Sequence, residues 1–196
     1  MPETDLLQHT SQVFKRVLRL MGNRFEISVV DDEEETANQH IDAAVEEIRR
    51  IEKLLTTFDP SSQTNQVNQF AGERPVKVDR EVFDLISRSK IISQLTQGAF
   101  DITYGSVDKR LWNFDQEMKS LPDAETAARM VRLINYRNVI LDDKKGTVFL
   151  KEAGMRIGFG GIGKGYAAEM ARRLLIQRGV KSGVVNAAGD LTVWGH

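Results

Sequence analysis

The sequence predicts an α+β fold, in which an antiparallel or mixed sheet packs with helices in a mixed α/β arrangement. Alternation of apolar and polar residues over 25–30 predicts a half-buried strand, and two longer segments have apolar residues at helical spacing. Two short apolar runs on either side of 142–146 add a strand–turn–strand pattern. Because these patterns are interleaved with no internal repeat and no linker, we expect one domain over residues 1–196.

The composition is that of an ordinary globular protein, and it excludes several classes of function. The 196 residues include 27 Lys+Arg and 28 Asp+Glu, a net charge of −1, so no overall charge attracts nucleic acid and we expect no such partner. The absence of cysteine excludes disulfide scaffolds, zinc–cysteine sites, iron–sulfur clusters and thiol nucleophiles. No run approaches the ~20 apolar residues of a membrane helix, so we expect no membrane span, and the N-terminus has no signal-peptide pattern.

The first predicted elements are a strand and a helix. Phe25, Ile27 and Val29 form the buried face of the strand. The acidic run 31–35 that follows is either a metal-binding cluster or the solvated start of a helix. The second interpretation is favoured, because five consecutive acids cannot converge on one ion without a turn scaffold, and acids stabilise a helix N-terminus. The helix is predicted over 36–56 and ends before a proline.

The remaining elements are predicted from the same periodicities. A second helix over 80–96 buries its apolar side chains, which are Val82, Phe83, Leu85, Ile86, Ile92 and Leu95. Further along the chain the patterns predict helices over 124–134 and 166–178 and strands over 139–141, 147–150, 155–157, 183–186 and 191–195.

The most informative segment is the glycine loop 158–165, Gly-Phe-Gly-Gly-Ile-Gly-Lys-Gly. It matches the G-x-G-x-x-G pattern of dinucleotide-binding proteins and the first seven positions of a phosphate-binding P-loop. The P-loop interpretation fails at Gly165, where a Ser or Thr should bind magnesium. The dinucleotide interpretation lacks the acid expected at the end of the next strand. Both patterns share one property: glycines let the backbone approach an anion, and the helix N-terminus behind them attracts it.

Lys164 adds a cation at the start of the helix that follows the loop. One interpretation is that the loop binds phosphate. The other is that its glycines only make a tight turn and that Lys164 is solvated. Five glycines in eight positions, followed at once by a helix, favour phosphate binding.

Five segments, in order along the chain, resemble the ApbE family of FAD:protein FMN transferases. The family's early Met-Gly-Thr motif is similar to 21–23, where Asn23 replaces Thr. Its Tyr-x-x-x-Ser…Asn segment is similar to 58–62 followed by Asn68, with Phe58 at the aromatic position.

The other three segments lie in the second half of the chain. The family's G-x-[FL]-D-[IV]-T…W-x-F block resembles 98–103 followed by Trp112 and Phe114. Its I-D-L-G-G-I-A-K-G-Y-A-x-D signature resembles 157–169, and its V-N-A-G-G-D-L motif resembles 185–191.

The resemblance implies a set of binding residues but no catalytic residue. It implies a magnesium contact at the carbonyl of Gly161, and it implies flavin-nucleotide contacts at Met21, Phe58, Ala99, Phe100, Asp101, Gly158 and Lys164. Without the family pattern, Met21 and Phe58 are by default core residues, and Asp101 equally caps a turn. Two of these binding residues depart from the family, because Gly158 replaces an Asp and Phe58 lacks the hydroxyl of a Tyr.

The resemblance also implies an activity. Such enzymes use Mg²⁺ and take FAD as substrate, transfer FMN through a phosphoester bond to a Ser or Thr hydroxyl of an acceptor flavoprotein, and release AMP. Two alternatives stay open: an FAD-binding protein without transfer activity, and an FAD pyrophosphatase. The resemblance implies a location on the periplasmic side of the bacterial inner membrane. Because the sequence has neither a signal peptide nor a lipobox cysteine, a cytoplasmic location stays open as well.

The family pattern continues beyond the matched segments with a His-containing segment and a D-[AG]-x-[AS]-T motif that completes the metal site. Neither occurs here. We therefore expect residues 1–196 to be the N-terminal portion of a single ApbE-like domain whose C-terminal part is missing, with weak or absent catalysis by this chain alone.

Overall fold

A computed structural model describes residues 11–107 and 123–195. The chain divides into two compact units, one of Met1–Glu52 with Gly163–His196 and one of Lys53–Ile162. The strands are β1 (Gln12–Leu20), β2 (Asn23–Asp31), β3 (Val76–Lys77), β4 (Val139–Asp142), β5 (Thr147–Leu150), β6 (Gly183–Ala187) and β7 (Asp190–Trp194). The helices are α1 (Glu34–Leu55), α2 (Gln63–Gln69), α3 (Arg80–Leu95), α4 (Ala124–Val131) and α5 (Gly163–Gln177).

The first unit contains a four-stranded antiparallel sheet in the order β1-β2-β6-β7. The predicted strand 25–30 is confirmed as part of β2, and its inward face of Phe25, Ile27 and Val29 is fully buried. Burying such a side chain stabilises the fold by about 1.5–3 kcal/mol. Helix α5 contacts β6 and β7, so the segment after the glycine loop lies against this sheet.

Helix α1 confirms the predicted helix 36–56 and begins two residues earlier, inside the acidic run. Its predicted apolar face is buried at Ile41, Ala44, Val45, Ile48 and Ile51. The acidic side chains of 33–35 are exposed, as the solvated-start interpretation predicts.

The second unit contains a three-stranded antiparallel sheet in the order β3-β5-β4. The predicted strands 139–141 and 147–150 are confirmed as β4 and β5, and α3 confirms the predicted helix 80–96 to within one residue. The prediction that Leu95 is buried is wrong: its side chain is 77% exposed. Leu95 is the last helical residue and lies beyond the face that Val82 and Ile86 bury.

Two other segments also differ from what the sequence predicts. Residues 155–157 form no strand, because side chains rather than a neighbouring strand bind the backbone of Arg156 and Ile157. The segment 63–69, for which no element was predicted, is helix α2, with Ser62 as its N-cap.

Trp112 and Phe114 of the family resemblance lie outside the described residues. Among the residues that the structure does describe, no helix is both long enough and apolar enough to cross a membrane.

Candidate functional site

The glycine loop leads directly into helix α5. The helix begins at Gly163, three residues earlier than the predicted Tyr166, so Lys164 lies in its first turn. The first N–H groups of a helix have no partner within the helix and give this end a partial positive charge. Gly160 and Gly161, just before the helix, are exposed. The loop therefore presents exposed backbone immediately before a helix N-terminus, as anion binding requires.

Lys164 is paired with a carboxylate that the sequence analysis did not single out. Its Nζ atom lies 3.0 Å from Oδ2 of Asp190, the first residue of β7. The Lys164 side chain is 25% exposed and that of Asp190 is 50% exposed. The alternative in which Lys164 is merely solvated is therefore incomplete, because its ammonium group forms an ion pair with the carboxylate of Asp190.

Met21 lies in the turn between β1 and β2, at one end of the four-stranded sheet. Residues 21 and 22 link the paired residues Leu20 and Asn23, and both have positive φ, 49° and 72°. Positive φ at both residues is typical of a type I′ turn, whose backbone twist matches that of the two strands it joins. Since Phe25 pairs with Ala187, the turn is at the same end of the sheet as the β6–β7 turn that precedes Asp190. The Met21 side chain is half-buried.

Asp101 caps a short 3-10 helix, Ile102–Ser106, in the second unit. Its Oδ1 atom accepts hydrogen bonds from the N–H of Thr103 at 2.8 Å and from its hydroxyl at 2.6 Å. Its Oδ2 atom accepts from the N–H of Tyr136 at 3.0 Å. The turn-capping role that the sequence left open is thus observed, and the flavin contact implied by the family stays a prediction.

Ala99 and Phe100 follow the end of α3. The N–H of Ala99 donates to the carbonyl of Thr96 at 3.0 Å, and the N–H of Phe100 donates to the Thr96 hydroxyl at 3.1 Å. The ring of Phe100 lies against Gly161, where a Cβ atom would lie 3.2 Å from Cε2 of that ring. A predicted flavin residue and the predicted metal-contacting residue are therefore neighbours, and the contact leaves little room for a side chain at 161.

Gly158 and Phe58 differ in how they are held. The N–H of Gly158 donates to the carbonyl of Ile102 at 3.1 Å, so this N–H already has a protein partner. Phe58 follows α1, and its side chain is 87% exposed. The default interpretation of Phe58 as a core residue is wrong. The flavin contact that the resemblance implies for Phe58 stays a prediction.

Backbone strain is concentrated beside the residues of the family motifs. In the described part of the chain, the non-glycine residues with positive φ are Met21, Gln97 and Ala188, and each directly precedes a glycine with positive φ. Such conformations cost about 1–3 kcal/mol each and are frequent at functional sites. The three pairs border Asn23, Ala99 and Asp190, all of which lie in the motifs.

The residues present fit only part of a magnesium site. The carbonyl of Gly161 is a hard oxygen donor of the type Mg²⁺ prefers. Within 11–107 and 123–195, however, no group of three or more His, Cys, Asp or Glu side chains could hold a metal ion. One carbonyl does not make a magnesium centre, so the roles assigned to the residues of this chain involve no step on the ion.

The predicted binding residues are divided between the two units. Met21 and Lys164 belong to the first unit, and the second unit contains Phe58, Ala99, Phe100, Asp101, Gly158 and Gly161. Sequence reasoning missed Asp190, the partner of Lys164, and Ser106, whose hydroxyl binds the backbone of Arg156. It gave no role to Asn68, whose amide group binds the backbone of Ile157. Asn68 and Asp190 stood inside the family motifs, which was the one signal that could have identified them.

The comparisons with known proteins agree on one family. The model of the ApbE family matches residues 21–196. An FAD:protein FMN transferase of Klebsiella pneumoniae (strain 342) is 32% identical over 186 residues, which are 95% of this chain and 57% of that protein. An FAD:protein FMN transferase of Treponema pallidum (strain Nichols) is 29% identical over 164 residues, 79% of this chain and 45% of that protein. The chain thus spans about half the length of these curated relatives.

Solved structures give the same result for the fold. The crystal structure of the ApbE protein from Thermotoga maritima superposes with a TM-score of 0.84 at 29% identity, covering 93% of this chain and 59% of that one. The apo form of the Pseudomonas stutzeri flavinyl transferase ApbE has a TM-score of 0.82 at 20% identity, with coverage of 95% and 59%. The predicted α+β, ApbE-like fold is confirmed.

Proposed function

The chain belongs to the ApbE family, and on that premise we propose that it acts as part of an FAD:protein FMN transferase. The observation that supports this most strongly is the glycine loop, which presents exposed backbone and Lys164 at the N-terminus of α5. The relatives named FAD:protein FMN transferase match most of this chain. A site that binds a pyrophosphate is what such a reaction requires.

The proposed reaction transfers FMN, through its phosphorus atom, from FAD to an acceptor hydroxyl. The P–O bond between the two phosphates of FAD breaks on the side of the FMN phosphorus, and AMP leaves. A new P–O bond forms between that phosphorus and a Ser or Thr hydroxyl of the acceptor flavoprotein, whose proton is released. No electron is transferred, so the reaction needs no oxidant or reductant.

The residues of this chain would act mainly by binding and orientation. Lys164 and the start of α5 would neutralise the negative charge of the phosphates. Phe58 and Met21 would pack on the flavin ring, and 99–101 would line the nucleotide. Magnesium dependence is part of the proposal. It is supported by the resemblance and by the carbonyl oxygen of Gly161, and Mg²⁺ would neutralise charge on the phosphates.

The activity of this chain alone is proposed to be weak or absent. This part of the proposal is supported by the described residues, which contain no group of three or more His, Cys, Asp or Glu side chains that could hold a metal ion. Isothermal titration with FAD and Mg²⁺ would compare the 196-residue chain with a version extended through the family's metal motif. Tight, magnesium-dependent binding by the shorter chain would contradict this part of the proposal.

The experiment that tests the function is a labelling reaction. The full-length protein is incubated with FAD, Mg²⁺ and an acceptor flavoprotein that contains a Ser or Thr flavinylation site, and covalent flavin fluorescence is measured on the denatured acceptor. An acceptor with Ala at that position is the matched control. Labelling of the first acceptor only supports the transferase.

The same experiment separates the two alternatives. FAD binding without labelling and without AMP would identify a flavin-binding protein. Free FMN and AMP without labelling would identify an FAD pyrophosphatase.

The location on the periplasmic side of the inner membrane stays a prediction.

A further inference from the structure

The entry to the glycine loop is held by a buried amide side chain. Asn68, on α2, is 7% exposed, and the residue it binds, Ile157, is fully buried. The Oδ1 atom of Asn68 accepts from the N–H of Ile157 at 2.7 Å, and its Nδ2 donates to the carbonyl of Ile157 at 3.0 Å. One side chain therefore satisfies both backbone groups of the residue directly before Gly158.

The residues on either side of Ile157 are held as well. The Ser106 hydroxyl accepts from the N–H of Arg156 at 2.9 Å and donates to its carbonyl at 3.1 Å. The N–H of Gly158 donates to the carbonyl of Ile102. Three consecutive residues, 156–158, are thus fixed without belonging to a sheet.

The backbone around this segment is packed closely. A Cβ atom at Gly105 would lie 3.2 Å from both the carbonyl carbon and the carbonyl oxygen of Ile157. A side chain at 105 would therefore require the backbone of Ile157 to shift by a few tenths of an ångström. The segment 156–158 has therefore little freedom to shift as long as Asn68 and Ser106 keep their hydrogen bonds.

We propose that Asn68 is a positioning residue: it holds Ile157 so that Gly158 to Gly161 have a single backbone conformation ready for FAD. The inference rests on the proposed function, since it assigns the loop its ligand. Asn68 lies outside the residues assigned to flavin or metal contact. It acts through Ile157, and its physical effect is to remove the entropy cost of ordering the loop when the ligand binds.

The physical consequence of losing Asn68 follows from burial. In an Asn68→Ala protein the N–H and carbonyl of Ile157 lose their partners in a dry environment, and the segment rearranges or takes up water to satisfy them. We expect the Ile157 amide proton to exchange at least about 10-fold faster than in wild type. We expect the dissociation constant for FAD to rise about 10-fold, because the bound loop conformation is then only fractionally populated.

The experiment compares three variants of the full-length protein at a temperature where each is folded. Asn68→Ala tests the proposal. Ser106→Ala removes the two hydrogen bonds to the backbone of Arg156, and it tests the proposal in place of Asn68→Ala if that variant does not fold. Ser89→Ala is the matched control: Ser89 is fully buried and donates to the carbonyl of Leu85 at 2.8 Å within α3, away from the loop.

Amide exchange of Arg156, Ile157 and Gly158 is measured without ligand, and FAD affinity is measured by titration. The proposal is supported if Asn68→Ala and Ser106→Ala show faster amide exchange at 156–158 and weaker FAD binding while Ser89→Ala shows neither. It is overturned if the Ile157 amide stays as protected as in wild type, or if FAD binding weakens no more than in Ser89→Ala. Absence of FAD binding by the wild-type protein would count instead against the proposed function.

Discussion

The ammonium group of Lys164 lies 3.0 Å from the carboxylate of Asp190, at the first turn of α5. Because Asp190 is half exposed, the pair is worth at most about 1 kcal/mol. If the start of α5 binds pyrophosphate as proposed, displacing the carboxylate from Lys164 would therefore cost little.

The first prediction concerns Lys164. If Lys164 binds the FAD phosphates as proposed, Lys164→Ala removes a charge-assisted hydrogen bond worth about 1.5–3 kcal/mol, so the dissociation constant for FAD should rise by about 13- to 160-fold. Titration calorimetry measures this. The matched control is Lys181→Ala, an exposed lysine beyond α5 that changes the net charge equally. Equal FAD affinity in wild type and Lys164→Ala would refute the assignment of the glycine loop to phosphate.

The second prediction separates binding from stability at Phe58. Because the ring is 87% exposed, Phe58→Ala should change the free energy of unfolding by less than about 0.5 kcal/mol. Loss of stacking on the flavin, about 0.5–1.5 kcal/mol, should weaken FAD binding by about 2- to 13-fold.

For the test at Phe58, denaturant unfolding and FAD titration are done on the same preparations. Phe58→Tyr, which keeps the ring, is the matched variant and should bind at least as well as wild type. A destabilised protein with unchanged FAD affinity would show that Phe58 is a packing residue.

The third prediction concerns the structural role of Asp101. Asp101→Ala removes three hydrogen bonds and leaves the N–H of the buried Tyr136 without its acceptor. The free energy of unfolding should fall by about 2 kcal/mol. Urea unfolding followed by circular dichroism measures it, with Asp84→Ala as the control, since Asp84 is exposed and pairs with Arg80, another surface residue of α3. A loss as small as that of the control would mean that the capping bonds contribute nothing.

The fourth prediction concerns acid stability. The guanidinium groups of Arg172 and Arg173 hold the pKa of Glu169 down, from 4.5 to about 2, with Arg172 the larger cause. Because the folded pKa is lower than the unfolded one, the stabilisation is complete above pH ~4.5 and is lost as the pH falls toward 2. At pH 6 the free energy of unfolding of the wild type should be about 1–2 kcal/mol larger than that of Glu169→Gln, and this difference should decrease toward pH 3.

Urea unfolding at pH 3, 4, 5 and 6 tests this prediction. Glu46→Gln is the control, since Glu46 lies on the exposed face of α1 and pairs with Arg49. A wild-type advantage over Glu169→Gln that is constant between pH 3 and 6 would show that the arginine pair does not hold the carboxylate ionised.

The sequence was sufficient to predict a helix or strand where one face of that element is purely apolar. Helices α1 and α3 and strand β2 were predicted because their buried residues repeat at 3.6 or 2 positions. Strand β1 was not, because both of its faces mix apolar and cationic residues. Arg16 faces inward between Phe14 and Leu18 and binds Asp42 and Asn38 on α1, while Val13 and Val17 are exposed.

The alternation of buried and exposed residues at 155–157 led to a strand prediction that is wrong. Met155 and Ile157 are buried and Arg156 is exposed, which is the pattern of a strand, but the hydrogen-bond partners are the side chains of Asn68 and Ser106. Local periodicity reports burial and does not reveal which group binds the backbone. The same limit applies to the site: motifs identified Lys164, and only the fold brings Asp190 to it.

Transfer of FMN to an acceptor hydroxyl is tested most directly by one ratio, that of covalent acceptor flavin to AMP released by the full-length protein with FAD and Mg²⁺. We predict one AMP for each labelled acceptor and no label on the Ala acceptor. AMP with free FMN and an unlabelled acceptor, or neither product at all, would contradict the transferase function.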